Sequence, residues 1–263
     1  MQYMRTGSGQ PLLLIHGLGG SRHSFDPITS ALAAEREIIA PDLPGFGKTP
    51  PLSGAVSIAT LAEALEGFID EHDLDGVDCA GTSMGARLAL ELARRGRVGA
   101  TVALDPGGFW NARERRVFGA SVRGSIAIVR ALQPVMPVLA RSPVGRSALL
   151  AQFSARPWRL PGDVVLREMQ SYAEARGLDD ALDALVHGPL QAGMPAGTAR
   201  GPIAVGWGRH DLVCLPRQAQ RAIRQFPDAR LHWFDRCGHF PQWDRPHETT
   251  RLILETTAPD RHR

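Results

Sequence analysis

The segment that most limits how this chain can fold is Gly81-Thr82-Ser83-Met84-Gly85. A short, mostly apolar run, Val77 to Ala80, precedes it, and a helical pattern, Ala86 to Arg95, follows at once. A strand that turns directly into a helix needs residues without bulk on both sides of the apex, and the two glycines supply them. The serine is then left at the tip with its hydroxyl exposed. Beneath it, the start of the helix offers free N–H groups to a developing negative charge. An idle serine in a glycine-rich turn would show the same five residues, so the rest of the chain has to decide.

The same alternation runs through most of the sequence. Strand-like stretches fall at 11–16, 37–40, 76–80 and 100–104, and helical ones at 22–34, 57–72 and 84–95. The pattern resumes at 202–207 and 229–234 for strands, and at about 215–225 and 242–256 for helices. Alternation of this kind predicts an α/β fold, a mostly parallel central sheet with helices on both faces. Uncharged strand cores such as Leu12-Leu13-Leu14-Ile15 fit burial on both sides. Residues 109–200 read differently. Stretches at about 111–133, 134–141, 144–154 and 163–187 look helical, prolines such as Pro134, Pro143 and Pro161 break them, and no convincing strand occurs. The expected organisation is a core formed by residues 1–108 and 201–263, with a helical domain, residues 109–200, inserted between them.

A serine hydroxyl is a poor nucleophile at its free pKa. It needs a base, and the base needs an acid to orient it. Asp211 lies in Gly208-Arg209-His210-Asp211, just after the strand-like run from Pro202. His239 lies in Cys237-Gly238-His239, just after the strand-like run ending at Phe234. Asp105, after the strand at 100–104, is the rival for the acid. A further loop, His16-Gly17-Leu18-Gly19-Gly20, follows the strand at 11–16, and such a loop can aim a backbone N–H at an oxyanion. Leu18 is the candidate donor there, and Met84, directly after the serine, is the second.

Together these pieces resemble the α/β-hydrolase family, over residues 11–108 and 201–256. The G-x-S-x-G elbow, His16-Gly17, Pro41-Asp42-Leu43-Pro44-Gly45-Phe46-Gly47, Gly208-Arg209-His210-Asp211 and Cys237-Gly238-His239 carry the resemblance. It implies a catalytic triad of Ser83, His239 and Asp211, an oxyanion hole formed by the N–H groups of Leu18 and Met84, and a helical cap over the site. The sequence departs from a common family pattern at Thr82, where many members have His or Asn, and at Ala86, where many have a second glycine. Both residues are small enough for the fold, so the departures bear on the substrate. The implied activity is that of a serine hydrolase on carboxylic esters, through an acyl-enzyme and without a cofactor. Cys237-Gly238-His239-Phe240-Pro241-Gln242-Trp243 is also similar to the base loop of enzymes that hydrolyse a carbon–carbon bond in dienone ring-cleavage products. Perhydrolase or haloperoxidase chemistry would use the same three residues. A ligand-binding protein that lost catalysis is the non-enzymatic alternative, and an intact set of three argues against it.

Other motifs are weaker. Gly45-Phe46-Gly47-Lys48-Thr49 ends like a phosphate-binding loop, but Asp42 stands where that motif needs its first glycine. His16 is expected to brace its own loop, His210 to point away from the site, and His187, His232 and His247 have no metal-ligating partners at useful spacing. The expected metal and cofactor content is therefore none. Cys79, Cys214 and Cys237 are odd in number and scattered, so no disulfide framework is expected. A net charge of +3 without blocks of like charge argues against a nucleic-acid surface. The N-terminal residues lack the pattern of a secretory signal, and no apolar stretch reaches the ~18 residues of a membrane span, so the cytoplasm is the expected compartment. The expected partner is a small, mostly apolar substrate. Aromatic and Met residues between 109 and 200, among them Phe118, Phe153, Met169 and Tyr172, are expected to divide between lining its pocket and holding the helices to the core. Arginines such as Arg113, Arg115, Arg116 and Arg123 are expected on a solvated face.

Overall fold

A computed structural model describes residues 1–258. The last five residues of the expected core segment, 259–263, lie outside the described residues. Seven strands form one sheet: β1 (Tyr3–Thr6), β2 (Pro11–Ile15), β3 (Glu37–Pro41), β4 (Asp78–Thr82), β5 (Thr101–Leu104), β6 (Ile203–Gly208) and β7 (Arg230–Phe234). Their spatial order is β1-β3-β2-β4-β5-β6-β7. Every pairing is parallel except that of β1 with β3.

The strands alternate between two apolar layers, as a sheet covered on both faces must. Leu12, Leu14, Ala80, Val102 and Leu104 face one layer, with Ile28 and Leu32 of α1 (Asp26–Ala33) and Leu252 and Ile253 of α11 (Pro246–Thr256). Leu13, Ile15, Cys79, Ala103 and Val205 face the other. There α2 (Ile58–Glu71), α3 (Met84–Arg94) and α9 (Ala219–Gln225) close the core with Leu61, Leu65, Leu88 and Ala222.

Between β5 and β6 come α4 (Ala112–Ala131), α5 (Met136–Arg141), α6 (Pro143–Leu150), α7 (Gly162–Glu174) and α8 (Leu178–His187), and no strand interrupts them. The single helix predicted over 163–187 is two. It breaks at Ala175-Arg176-Gly177 because the Gly177 backbone docks on Gly45, its N–H donating to the Gly45 carbonyl at 2.9 Å. A Cβ on Gly45 would lie 2.7 Å from the Gly177 Cα, so neither position admits a side chain cheaply. The helix predicted over 242–256 is also two, α10 (Pro241–Asp244) and α11, because Pro246 cannot continue the hydrogen-bond ladder. The helix predicted over 22–34 begins only at Asp26, since residues 21–25 form the turns that lead out of β2. Edge strand β1 is an addition to the predicted set. Among the described residues, no single helix is long and apolar enough to cross a membrane.

Candidate active site

Ser83 joins β4 to α3 with φ 56° and ψ −115°. A non-glycine residue in that region is strained by about 1–3 kcal/mol, and the surrounding packing must hold it there. The flanking glycines are required by close approach. A Cβ on Gly81 would strike the Gly85 carbonyl, and one on Gly85 would strike the carbonyls of Ile15 and His16. Gly17 lies against the serine too, since a Cβ there would come within 3.1 Å of the Ser83 Cβ.

The loops after β6 and β7 bring the other two residues to it. His239 Nε2 is 2.8 Å from Ser83 Oγ, and His239 Nδ1 is 2.8 Å from Asp211 Oδ2. Asp211 is fixed in turn, because its Oδ1 accepts the N–H groups of Val213 at 2.7 Å and Cys214 at 3.0 Å. A carboxylate at Nδ1 favours the tautomer that carries its proton there, leaving Nε2 free to accept one. Both His239 and Asp211 are 1% exposed, so water does not dilute these contacts. Asp105, the rival acid, is fully buried beside them. Its Oδ1 accepts the Gly208 N–H at 2.8 Å, while its Oδ2 has no partner among the described residues. Burial, and then the neighbouring Asp211, push its carboxyl well above the usual range. No hydrogen bond joins Asp105 to His239 among the described residues.

The N–H groups of Leu18 and Met84 have no acceptor among the described residues. His16 braces the loop that carries Leu18. Its Nε2 accepts the Leu43 N–H at 3.0 Å, so its Nδ1 bears the proton and donates to the Gly17 carbonyl at 2.8 Å. Burial lowers its pKa and keeps the ring neutral. The Gly45–Thr49 loop serves packing as well: Asp42 accepts the N–H groups of Arg22 at 2.7 Å and Lys48 at 2.9 Å.

The base loop is tied to the inserted helices through a residue that sequence reasoning missed. Asp244 accepts three hydrogen bonds, from Ser154 Oγ at 2.5 Å, Ala155 N at 2.8 Å and Gly238 N at 2.7 Å. The His239 N–H also donates to the Phe153 carbonyl at 2.8 Å. Gly238 makes this approach possible, since a Cβ there would lie 2.7 Å from that same carbonyl.

A narrow cavity opens beside Ser83 and His239, with about 50 Å³ in which water centres can sit. That is room for a few waters. Phe118, Phe153, Met169, Tyr172 and Trp243 line it, with Leu18 at the oxyanion loop. Of the other aromatics between 109 and 200, Trp110 stacks on Phe118 and Trp158 is half exposed. Among the described residues, no arginine lines the cavity. Arg123 and Arg130 of α4 pair with Asp183 and Asp179 at the surface. One lining residue is acidic, Glu168 of α7, which is buried amid an apolar stripe. It too was missed, although a charged residue at that spacing between Val165 and Tyr172 is a legible anomaly.

The donor atoms of Asp211, Cys214 and His239 lie within 4.8 Å of one another, which invites a metal reading. The residues do not fit it. His239 and Asp211 already satisfy each other, and burial holds the Cys214 thiol well above its usual pKa and therefore protonated. Cys79, pushed up to about 12 by burial, and Cys237, pushed higher still, are buried inert thiols. His210, His187 and His247 are exposed, and His232 pairs with Glu248 at 3.0 Å.

Comparison with known proteins places this geometry in context. The profile of the alpha/beta hydrolase family matches residues 12–252. A 2-hydroxy-6-oxononadienedioate/2-hydroxy-6-oxononatrienedioate hydrolase of Cupriavidus pinatubonensis is 26% identical over 95% of this chain and 88% of its own length. Among solved structures, a thermophilic esterase from Thermogutta terrifontis superposes with a TM-score of 0.75 at 22% identity, over 97% of this chain and 91% of that one. The enol-lactonase from Burkholderia xenovorans LB400 does so with 0.74 at 19%, over 97% and 95%. At such identities the structural likeness speaks for the fold alone.

Proposed function

The chain belongs to the alpha/beta hydrolase family, and on that premise we propose that it is a serine hydrolase of small carboxylic esters, with Ser83, His239 and Asp211 as catalytic triad. The observation that carries the reading is the unbroken line of contacts, 2.8 Å from hydroxyl to imidazole and 2.8 Å from imidazole to carboxylate. In this reading Ser83 Oγ attacks the ester carbonyl carbon while His239 Nε2 takes the hydroxyl proton. The carbonyl oxygen becomes an oxyanion, met by the free N–H groups of Leu18 and Met84. Each such donor contributes about 10² to 10³ in rate. Asp211 stabilises the imidazolium and stays ionised. The intermediate collapses, the C–O bond to the alcohol breaks, and His239 returns the proton to the departing oxygen. Water, deprotonated by the same imidazole, then releases the acid and restores Ser83. Residues 109–200 act as the cap, with α4 and α7 supplying the apolar wall that excludes bulk water.

A second reading is hydrolysis of a carbon–carbon bond next to a ketone, which the named activity of the sequence relatives favours. It uses the same triad. The relative's substrate is named as a dioate, with two carboxylates, whereas among the described residues no lysine or arginine lines this cavity. Such a wall tells against a dioate, not against carbon–carbon bond hydrolysis as such, since another relative is named for a dienoate with one carboxylate. A panel of p-nitrophenyl esters and dienone acids, run with the native protein and Ser83→Ala, decides between them. Ester turnover lost in the variant supports the proposal, and dienone turnover without ester turnover replaces it with the second reading. Activity that survives in Ser83→Ala removes both.

A further inference from the structure

Among the described residues, Glu168 is the acidic group on the largely apolar wall facing Ser83. This residue projects from α7, 8% exposed, on the face that carries Val165, Met169 and Tyr172. One oxygen, Oε2, accepts a hydrogen bond from Ser24 Oγ at 3.2 Å, on the segment that continues from the oxyanion loop. Among the described residues its Oε1 has no protein partner, and the side chain lines the cavity.

The charges around it do not neutralise it. Asp26 of α1 adds negative potential, and the neighbouring Arg167 is engaged with Asp26 and Asp163. Tyr172 lies one turn on, its hydroxyl buried without a partner, and His239 stands across the cavity, committed to Asp211. Buried carboxyls without a cation favour the neutral form. Burial raises this one to about 7, against the weaker pull of Ser24.

We propose that Glu168 selects the substrate: its free oxygen meets an uncharged polar group of the ester, and its ionised carboxylate turns away esters that carry a carboxylate. The inference rests on the ester reading of the same cavity and narrows it to neutral esters. When protonated, Glu168 donates to a carbonyl, ether or hydroxyl oxygen. When ionised, it accepts from a hydroxyl or amide. Only the ionised form repels a carboxylate, because the protonated acid can donate its O–H to one. Two carboxylates in one poorly hydrated cavity cannot both stay ionised without a shift of about 1–2 pKa units, which corresponds to about 10- to 100-fold in binding.

The test compares kcat/KM for p-nitrophenyl butyrate and for p-nitrophenyl hemisuccinate, its analogue with a terminal carboxylate, at pH 6 and pH 8. The two substrates share one triad, so any effect of pH on the triad cancels in the ratio. The native protein should prefer the neutral ester by ~100-fold at pH 8 and by ~10-fold at pH 6. In Glu168→Gln the preference should fall to about 10-fold or less at both pH values, through a lower KM for the hemisuccinate. An unchanged ratio and pH dependence in Glu168→Gln would overturn the selection role and leave Glu168 a strut between α7 and the oxyanion loop. If the native protein turns over neither ester, the ester reading fails separately. Selection is then read from calorimetric binding of 2-hexanone and 5-oxohexanoate to the Ser83→Ala protein. Equal affinities for the two, or a difference that Glu168→Gln leaves intact, would equally overturn it.

Discussion

Replacing Asp244 with alanine removes one acceptor group that serves three donors, Ser154 Oγ, Ala155 N and Gly238 N. Asp244 is 7% exposed, so water reaches the vacated site only partly. A hydrogen bond to a charged group contributes about 1.5–3 kcal/mol, and a buried donor left unpaired costs about 1–3. Three coupled losses, partly relieved by water, sum to about 4 kcal/mol. For a chain of this size a kcal/mol corresponds to about 2–3 °C, so Tm should fall by about 8–12 °C in scanning calorimetry. Activity should suffer even well below that Tm. Gly238 and the Phe153–Ala155 segment hold His239 from both sides, and a misplacement of about 1 Å can cost 10²-fold. A Tm within about 3 °C of the native value, with kcat intact, would refute the idea that this junction sets the imidazole's position.

Three further outcomes follow from the same geometry. Ser83→Ala and His239→Ala should each lower kcat by more than about 10⁴, and the double variant little further, because the residues act as one unit; additive losses in steady-state kinetics would contradict that. Asp105→Asn should keep activity and stabilise the protein at pH 8. The folded-state pKa of Asp105 is raised, so the native protein loses stability as pH climbs from the unfolded value near 3.8 through the folded one, and asparagine removes that loss. A lower Tm at pH 8 than native would be the contrary result. Glu168→Gln should likewise flatten the fall of stability between about pH 4.5 and 7, with a gain of roughly 3 kcal/mol above pH 7. Urea midpoints measured at pH 5 and pH 8 check it, and parallel curves for the two proteins would count against a buried ionising carboxyl.

What was legible in the sequence was what local chemistry dictates. The elbow glycines can be read because backbone passes within contact distance on both sides, and no larger residue would serve there. Five strands could be read because their residues are buried on both faces and carry no charge in their cores, and β7 because of its mostly apolar Leu231-His232-Trp233-Phe234 run. Strand β1 could not, since Arg5 and Thr6 face water, Tyr3 is partly exposed, and no apolar alternation marks the segment. The break between α7 and α8 depends on Gly45, more than 130 residues away, and leaves no helix-stop signal strong enough to see locally. The Gly208-Arg209-His210-Asp211 loop favours Asp211 over Asp105, but the two are not separable by spacing alone. Each ends a strand edge, and only the fold shows which carboxylate reaches the imidazole. Asp244 was missed because it looks like an ordinary surface acid until the inserted helices meet it, whereas Glu168 stood out within an apolar stripe and was passed over.

The central claim is that Ser83 is made nucleophilic by His239. Intact-mass spectrometry after exposure to a fluorophosphonate, followed by peptide mapping, tests it most directly. The account expects one adduct, located on Ser83, absent in Ser83→Ala and formed at least ~10³-fold more slowly in His239→Ala. An adduct on another residue, or equal labelling rates with and without the imidazole, would contradict it.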